Sequence, residues 1–203
     1  MHKLFYDGTP VWKPKLPDGE LLYFGAFWSK EEADLLYKTL DTEIPWRQDS
    51  ITVFGKTYPQ PRLTSLHSEN DNPYSYSGIT MNPEPMSSTL LHILSKIKTV
   101  EQHEFTSVLL NKYRDGKDSN GWHSDDEKEL GRNPIIASVS LGAERFFHIR
   151  HKKIKKERHK IKLAHGSLLI MGGEMQHHWQ HQIAKTQKRI DPRINLTFRK
   201  IRA

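Results

Sequence analysis

Apolar residues recur at helical spacing in two segments of the N-terminal half of the chain. Residues 29–43, SKEEADLLYKTLDTE, begin with Ser29 and place Glu32 where a capping box requires an acid. Their apolar residues share one face: Ala33, Leu36, Tyr37 and Leu40. Residues 86–102 carry a second stripe of this kind. We therefore predict two helices that pack on one face of a sheet.

Short β-rich runs follow one another from residue 104 onward, with Gly, Pro, Asn and Asp between several of them. Many short strands at this spacing predict a sandwich or jelly roll. Residues 51–62 predict a separate β-hairpin that turns at residues 54–56. The predicted strand runs are FTSVLLNKY, PIIASVSLG, ERFFHIRH, KIKLA, GSLLIMGG, HHWQHQI and RINLTFRKI.

The last of these runs alternates strictly between polar and apolar residues. Its polar face carries Arg193, Asn195, Thr197 and Arg199, and its other face carries Ile194, Leu196 and Phe198. A sheet face exposed to solvent is one interpretation. The other is a pocket for a small dicarboxylate, since an arginine fork matches a carboxylate. Asn111 and Tyr113, also two residues apart, are suitable donors to the same ligand.

Composition predicts one soluble, intracellular domain. No run approaches the roughly 20 apolar residues that a membrane span needs, the N-terminus lacks the apolar run of a signal peptide, and cysteine is absent. We expect residues 1–25, punctuated by Pro, Gly and Asp, to form a loosely wrapped extension of a single domain at 26–203. A monomer is the simplest expectation.

The charge of the chain favours a polyanionic partner. The formal net charge is +7, and residues 150–162, RHKKIKKERHKIK, hold eight Lys and Arg with a single acid. A solvated hairpin would also account for this run. Charges of one sign are nevertheless better suited to contacting phosphates than to pairing with each other.

Residues 121–131, GWHSDDEKELG, gather acids in this basic chain, and they contain the candidate chemistry. His123 and Asp125 have the i, i+2 spacing that points two side chains the same way on a strand. A third ligand is available among three histidines: His177, His178 and His181. Two His and one carboxylate form the facial triad of non-haem Fe(II) oxygenases. A solvated acidic loop and exposed histidines are the alternative. A zinc hydrolase is disfavoured because His178 stands where HExxH has its glutamate.

Four segments together resemble the AlkB family of Fe(II)/2-oxoglutarate dioxygenases: LLNKYRDGKDSNGWHSDDEKEL, ASVSLGAERFF, LAHGSLLIMGGEMQHHWQHQI and PRINLTFRK. The combination NxYxDG, HxD, H and RxNxTxR is highly specific. The resemblance runs from about residue 50 to the C-terminus. VFGK at 53–56 and YSYSG at 74–78 look most like the eukaryotic homologue that prefers double strands.

The resemblance implies a mainly β, α+β fold: a double-stranded β-helix, or jelly roll, at 104–203. N-terminal helices would pack on one sheet, with nucleotide-recognition hairpins at 50–80. It implies Fe(II), 2-oxoglutarate and O2 as the reactive partners. The implied iron ligands are His123, Asp125 and His181. The implied 2-oxoglutarate contacts are Asn111, Tyr113, Arg193, Asn195, Thr197 and Arg199, with Arg193 or Arg199 on the distal carboxylate.

The resemblance also implies repair of alkylated DNA, with duplex DNA accepted. N1-methyladenine and N3-methylcytosine would be demethylated, releasing formaldehyde, succinate and CO2, after extrusion of the base. The implied substrate contacts are Phe54 as a duplex wedge, Lys56, Arg62, Tyr76, Ser77 and Glu127. The compartment would be the nucleoid or cytoplasm of a bacterium, or a nucleus. The alternatives are an RNA or protein oxygenase of the same fold and a non-catalytic nucleic-acid-binding module.

Overall fold

The computed structural model describes residues 3–6, 9–53, 55–70, 74–76 and 79–202. Its helices are α1 (Lys30–Glu43), α2 (Ser88–Ile97) and the short α3 (Met175–His178), with a single 3-10 turn at Lys128–Leu130. The strands that precede α2 are β1 (Lys3–Tyr6), β2 (Thr9–Trp12), β3 (Glu20–Phe24), β4 (Ser50–Val53), β5 (Lys56–Pro59), β6 (Leu63–Ser68), β7 (Tyr74–Tyr76), β8 (Ile79–Met81) and β9 (Glu84–Pro85). The strands that follow it are β10 (Ser107–Tyr113), β11 (Asn120–His123), β12 (Ile136–Gly142), β13 (Arg145–His151), β14 (Arg158–Leu163), β15 (Ser167–Gly172), β16 (Trp179–Ile183) and β17 (Arg193–Arg199).

The eight strands β10 to β17 form a double-stranded β-helix. β15, β12, β17 and β10 lie side by side in a nine-stranded sheet, in the order β1-β2-β3-β15-β12-β17-β10-β6-β9. β11, β16, β13 and β14 form a four-stranded sheet in that order. Every pairing among these eight strands is antiparallel. The predicted jelly roll is therefore confirmed, including the topology that the strand pattern alone did not specify.

Both predicted helices are present and lie against the large sheet. The α1 helix begins after Ser29, whose Oγ accepts from the Glu32 amide at 3.2 Å while Glu32 Oε2 accepts from the Ser29 amide at 2.9 Å. This reciprocal pair is the predicted capping box. The α2 helix, capped by Ser87, is shorter at both ends than the predicted 86–102.

The alternation in β17 separates two hydrophobic clusters. Ile194, Leu196 and Phe198 are fully buried and pack with the helices on one face of the large sheet. The polar side chains of the same strand face the space between the two sheets, where a second cluster surrounds them. Because all seven residues of β17 are buried, the solvent-exposed interpretation of its polar face is wrong.

Residues 20–24 are an integral strand rather than part of a loose extension. β3 pairs with β15 from Leu168↔Phe24 to Gly172↔Glu20. Leu21 and Phe24 are buried, one in each cluster. The predicted boundary at residue 25 therefore falls after a strand of the main sheet.

The predicted hairpin is formed by β4 and β5, with Val53 opposite Lys56. Gly55 in its turn has φ +74°, a conformation that glycine adopts without steric cost. Phe54 and Ser77 lie outside the described residues, and Tyr76 is placed only as the last residue of β7. Within the described ranges, no helix has both the length and the apolar character that crossing a membrane requires.

Candidate active site

His123, Asp125 and His181 meet between the two sheets. β11 lies beside β16, and His123 is the register partner of His181, so their ring centroids are 4.2 Å apart. His181 Nε2 lies 3.9 Å from Asp125 Oδ2. One ligand atom from each residue falls within 4.8 Å of the other two. The structure thus selects His181 from the three candidate histidines.

Asp125 reaches this position from outside a strand, which corrects the prediction that it shares a strand with His123. β11 ends at His123, and two hydrogen bonds then fix the following segment. Ser124 Oγ donates to the Trp179 carbonyl at 2.8 Å. The Asp125 amide donates to Gln176 Oε1 at 3.0 Å. Gln176 is buried in α3, and no spacing in the sequence relates it to Asp125.

The two histidines are held in a form that can bind a cation. His123 Nδ1 lies 2.7 Å from the Gly121 carbonyl, which can only accept a hydrogen bond. Nδ1 therefore carries the proton, and Nε2 is the lone-pair nitrogen. Burial lowers the pKa of His123, and burial together with the nearby His123 lowers the pKa of His181 to about 3. Both rings are neutral at physiological pH, as metal ligation requires.

Asp125 is ionised because a cation lies beside it. Burial alone would raise its pKa, but the neighbouring Arg199 guanidinium lowers it. Arg199 Nη2 donates to Asp125 Oδ1 at 2.8 Å, and both side chains are buried. Arg199 therefore contacts a candidate metal ligand, which leaves Arg193 as the better placed of the two for a distal carboxylate.

The remaining polar residues of β17 line the same space. Arg193 is 1% exposed, and its Nη2 donates to Ser140 Oγ at 2.8 Å. Among the described residues, none accepts a hydrogen bond from Arg193 Nε or Nη1, although both atoms are buried. Asn195 Nδ2 donates to Ser138 Oγ at 2.9 Å. Buried donors without acceptors are costly, so the Arg193 fork is suited to an anionic ligand.

Asn111 and Tyr113 of β10 complete this pocket, and Arg62 supports it. Arg62 Nε donates to Asn111 Oδ1 at 2.7 Å, which leaves the amide NH2 of Asn111 as its donor to a ligand. Arg62 is 5% exposed. It therefore lies against the pocket rather than at the surface with Lys56, and its predicted contact with the substrate stays a prediction.

One cavity includes the three candidate ligands and all six predicted co-substrate residues. Apolar side chains form much of the rest of its wall, as is usual for sites that bind small ligands. The lining residues are Leu109, Asn111, Tyr113, Asn120, His123, Asp125, Ser138, Phe147, Leu163, Met171, His181, Gln182, Ile183, Arg193, Asn195, Thr197 and Arg199.

A second cluster, Asp18, His151 and His178, also brings its ligand atoms within 4.8 Å of one another. His151 Nδ1 accepts from the amides of Lys153 and Ile154 at 3.1 and 2.9 Å. Its Nε2 therefore carries the proton and faces Asp18 Oδ2 at 3.2 Å. This tautomer offers no lone pair to a metal, so the cluster is a structural contact that attaches the N-terminal segment.

The other predicted substrate residues differ in their exposure and in their position in the fold. Lys56 is exposed at the start of β5, beside Tyr58, which is 49% exposed and carries an aromatic ring that the sequence prediction did not include. Glu127 is partly buried and precedes the 3-10 turn. The basic run forms the end of β13, a connection and most of β14, where Arg150 lies opposite Arg158.

Comparison with known proteins assigns this site to a family. The model of the 2OG-Fe(II) oxygenase superfamily matches residues 20–199. Human "DNA oxidative demethylase ALKBH2" is 36% identical over 206 residues, covering 97% of this chain and 79% of that protein. The chain belongs to the AlkB family of 2OG-Fe(II) oxygenases.

Another AlkB relative is more similar in sequence. Bovine "Alpha-ketoglutarate-dependent dioxygenase alkB homolog 3" is 46% identical over 185 residues, or 87% of this chain. The chain spans 64% of the length of that protein. Identity to alkB homolog 3 thus exceeds identity to ALKBH2, and the predicted likeness to a homologue that prefers double strands stays a prediction.

The fold agrees with a solved AlkB structure. The structure of OsALKBH1 matches 93% of this chain and 99% of that chain with a TM-score of 0.57 at 17% identity. This likeness concerns the fold alone. The donor set fits the cofactors of the family, because two neutral imidazoles and one carboxylate suit Fe(II). The buried Arg193 fork suits the dicarboxylate 2-oxoglutarate.

Proposed function

We propose that the chain is a dioxygenase that couples 2-oxoglutarate decarboxylation to oxidative demethylation of N-alkylated DNA bases. N1-methyladenine and N3-methylcytosine are the proposed lesions, and formaldehyde, succinate and CO2 are the products. One observation carries the proposal. A single cavity holds a His, Asp, His set together with buried Arg193, whose Nε and Nη1 have no acceptor among the described residues.

In this proposal His123, Asp125 and His181 hold Fe(II). When bound, the metal supplies the oxidising chemistry by activating O2 beside the methyl group. The protein keeps both imidazoles neutral through burial, and Gln176 fixes Asp125 through its backbone amide. Such outer contacts orient the ligands of a metal site. Arg199 compensates the charge of Asp125 before a cation binds.

The proposed co-substrate contacts lie on β10 and β17. Arg193 pairs with the distal carboxylate of 2-oxoglutarate, with the Tyr113 hydroxyl and the Asn111 amide as further donors. Asn195 and Thr197 line the cavity between Arg193 and the candidate metal ligands. Burial and exclusion of water strengthen each of these contacts.

DNA is the proposed substrate because relatives carry that function in their names and the chain is strongly basic. The formal net charge of +7 favours a polyanion. Lys56 and the basic run at 150–162 are the proposed phosphate contacts. Tyr76 and Ser77 contact the extruded base in this proposal, and Glu127 attracts the positive charge of a methylated base. We further propose that the enzyme accepts duplex DNA, with Phe54 inserted as the wedge.

The test begins with anaerobic titration of the protein with Fe(II) and 2-oxoglutarate. A visible charge-transfer band from the chelated keto acid is expected. His123→Ala and Arg193→Ala should remove it, whereas His177→Ala, a matched change at an exposed histidine nearby, should leave it. If the band persists in both His123→Ala and Arg193→Ala, the assigned site is refuted.

The substrate is tested by formaldehyde release from methylated oligonucleotides presented as single-stranded DNA, duplex DNA and RNA. Release from DNA supports the proposal, and release from RNA alone would replace its substrate. Phe54→Ala should slow the reaction on duplex DNA far more than on single strands. Equal slowing on both substrates would refute the proposed role of Phe54 as a duplex wedge.

A further inference from the structure

Arg145 is a buried cation close to the co-substrate pocket, and the family resemblance assigned it no role. It is the first residue of β13 and is 4% exposed. Its guanidinium donates to three backbone carbonyls: Asp115 at 3.1 Å, Asp118 at 3.0 Å and Ala184 at 2.7 Å. These carbonyls belong to the turn after β10 and to the residue after β16. Arg145 therefore joins two connections at one end of the β-helix.

The charge of Arg145 lies close to that of Arg193, with one aromatic ring next to both. The Arg145 Cζ atom is 5.8 Å from the centroid of the Tyr113 ring, and the Arg193 Cζ atom is 5.3 Å from it. Both distances are within the range of cation–π attraction. Tyr113 is 2% exposed, so the ring and the two guanidinium groups share a region with little water.

The acids near Arg145 compensate it only in part. Asp118 and Asp115 oppose the effect of burial, which lowers the pKa of Arg145. The Asp118 carboxylate, however, already accepts from Arg114 Nε at 2.8 Å and from Arg114 Nη2 at 2.9 Å. Burial lowers the pKa of Arg193 to about 10, and proximity to Arg145 adds to this effect. The region thus holds more buried positive than negative charge, which favours an anion.

We propose that Arg145 is a positioning residue that makes the pocket selective for a doubly charged 2-oxo acid. It contacts the Tyr113 ring and adds a second positive charge to the side of the pocket where Arg193 binds the distal carboxylate. This inference rests on the proposed function, because it assumes that 2-oxoglutarate occupies the cavity.

The experiment compares two ligands that differ only at the distal end. Binding of 2-oxoglutarate and of 2-oxopentanoate, which has a methyl group in place of the distal carboxylate, is measured by calorimetry with Mn(II) in place of iron. Arg145→Gln removes the charge. Arg145→Lys keeps the charge but cannot reproduce the three carbonyl contacts. Lys117→Gln removes an exposed charge from the same turn and serves as the control.

We expect Arg145→Gln to bind 2-oxoglutarate roughly ten-fold more weakly, equivalent to about 1.4 kcal/mol, while 2-oxopentanoate binding stays unchanged. Arg145→Lys and Lys117→Gln should keep the wild-type ratio of the two affinities. An equal loss for both ligands, or a Lys variant that behaves like the Gln variant, would overturn the proposal in favour of a structural clamp. If Arg145→Gln does not fold, the absolute affinities of Arg145→Lys decide: wild-type affinity for 2-oxoglutarate supports the proposal, and an equal loss for both ligands overturns it. Failure of the wild-type protein to bind 2-oxoglutarate would instead refute the proposed function.

Discussion

Replacing Arg199 by leucine should destabilise the metal-free protein and make its stability depend on a divalent cation. Arg199 and Asp125 form an ion pair at 2.8 Å with side chains only 5% and 2% exposed. Removing one member of a buried pair leaves the other charge uncompensated, at a cost of about 3–5 kcal/mol. In a domain of this size that corresponds to a fall in Tm on the order of 10 °C.

The sign of the pH dependence follows from the lowered pKa of Asp125. In the wild-type protein, the pair contributes stability above the ordinary carboxyl pKa and loses it as the pH falls. In Arg199→Leu the pKa of Asp125 rises, because burial then acts without the compensating guanidinium. Protonation of Asp125 then removes the uncompensated charge, so the difference between the two proteins should shrink on acidification.

Urea denaturation in EDTA measures how much the substitution lowers the free energy of unfolding. The same measurement with Mn(II) shows how much of that stability the metal restores, because a ligand that binds only the folded state stabilises it. Arg193→Leu is the matched control on the same strand. It removes a buried cation that has no carboxylate hydrogen-bond partner among the described residues. If Arg199→Leu costs no more than Arg193→Leu, or if Mn(II) restores nothing, Arg199 does not compensate Asp125 and the reasoning fails.

Three further results are expected. Gln176→Leu should weaken Mn(II) binding roughly ten-fold or more by calorimetry, because Asp125 loses its backbone contact. Gly116→Ala should lower the urea midpoint, since a Cβ there would lie 2.7 Å from the Lys188 carbonyl oxygen, and Gly121→Ala, with open space around it, should not. The metal-free protein should lose stability as the pH falls from about 6.5 toward 3. In this range His181 is protonated in the unfolded chain, whereas in the folded protein its buried ring stays neutral. His181→Gln should flatten that slope in denaturation series across pH.

The sequence predicted the parts of the fold that depend on local periodicity. The β17 alternation is visible because side chains repeat every two residues, and the α1 cap is visible because Ser29 and Glu32 are three residues apart. β3 was missed because its partner, β15, lies about 145 residues away, and Pro and Gly nearby obscure the strand pattern. Pairing at that distance leaves no local signal.

In the candidate site too, residues within sequence motifs were predicted, whereas contacts made by tertiary packing were not. Motif resemblance predicted residues that the structure brings to one cavity, including His181 among three candidates. Asp125 was placed on a strand because the i, i+2 rule was applied past the end of β11. Gln176 and Arg145 were missed, and Arg62 was misplaced, because each acts through a contact made by tertiary packing.

The position of β17 between β10 and β12 has a consequence for how such a protein can change over evolutionary time. Its odd-numbered side chains build the pocket and its even-numbered ones fill the core against the helices. A shift by one residue moves each side chain to the opposite face. An in-frame deletion or insertion of one codon inside β17 would therefore place arginines in the core and isoleucine and leucine in the pocket. Substitutions in this strand can accumulate one at a time, whereas changes in length have to occur in the connections on either side of it.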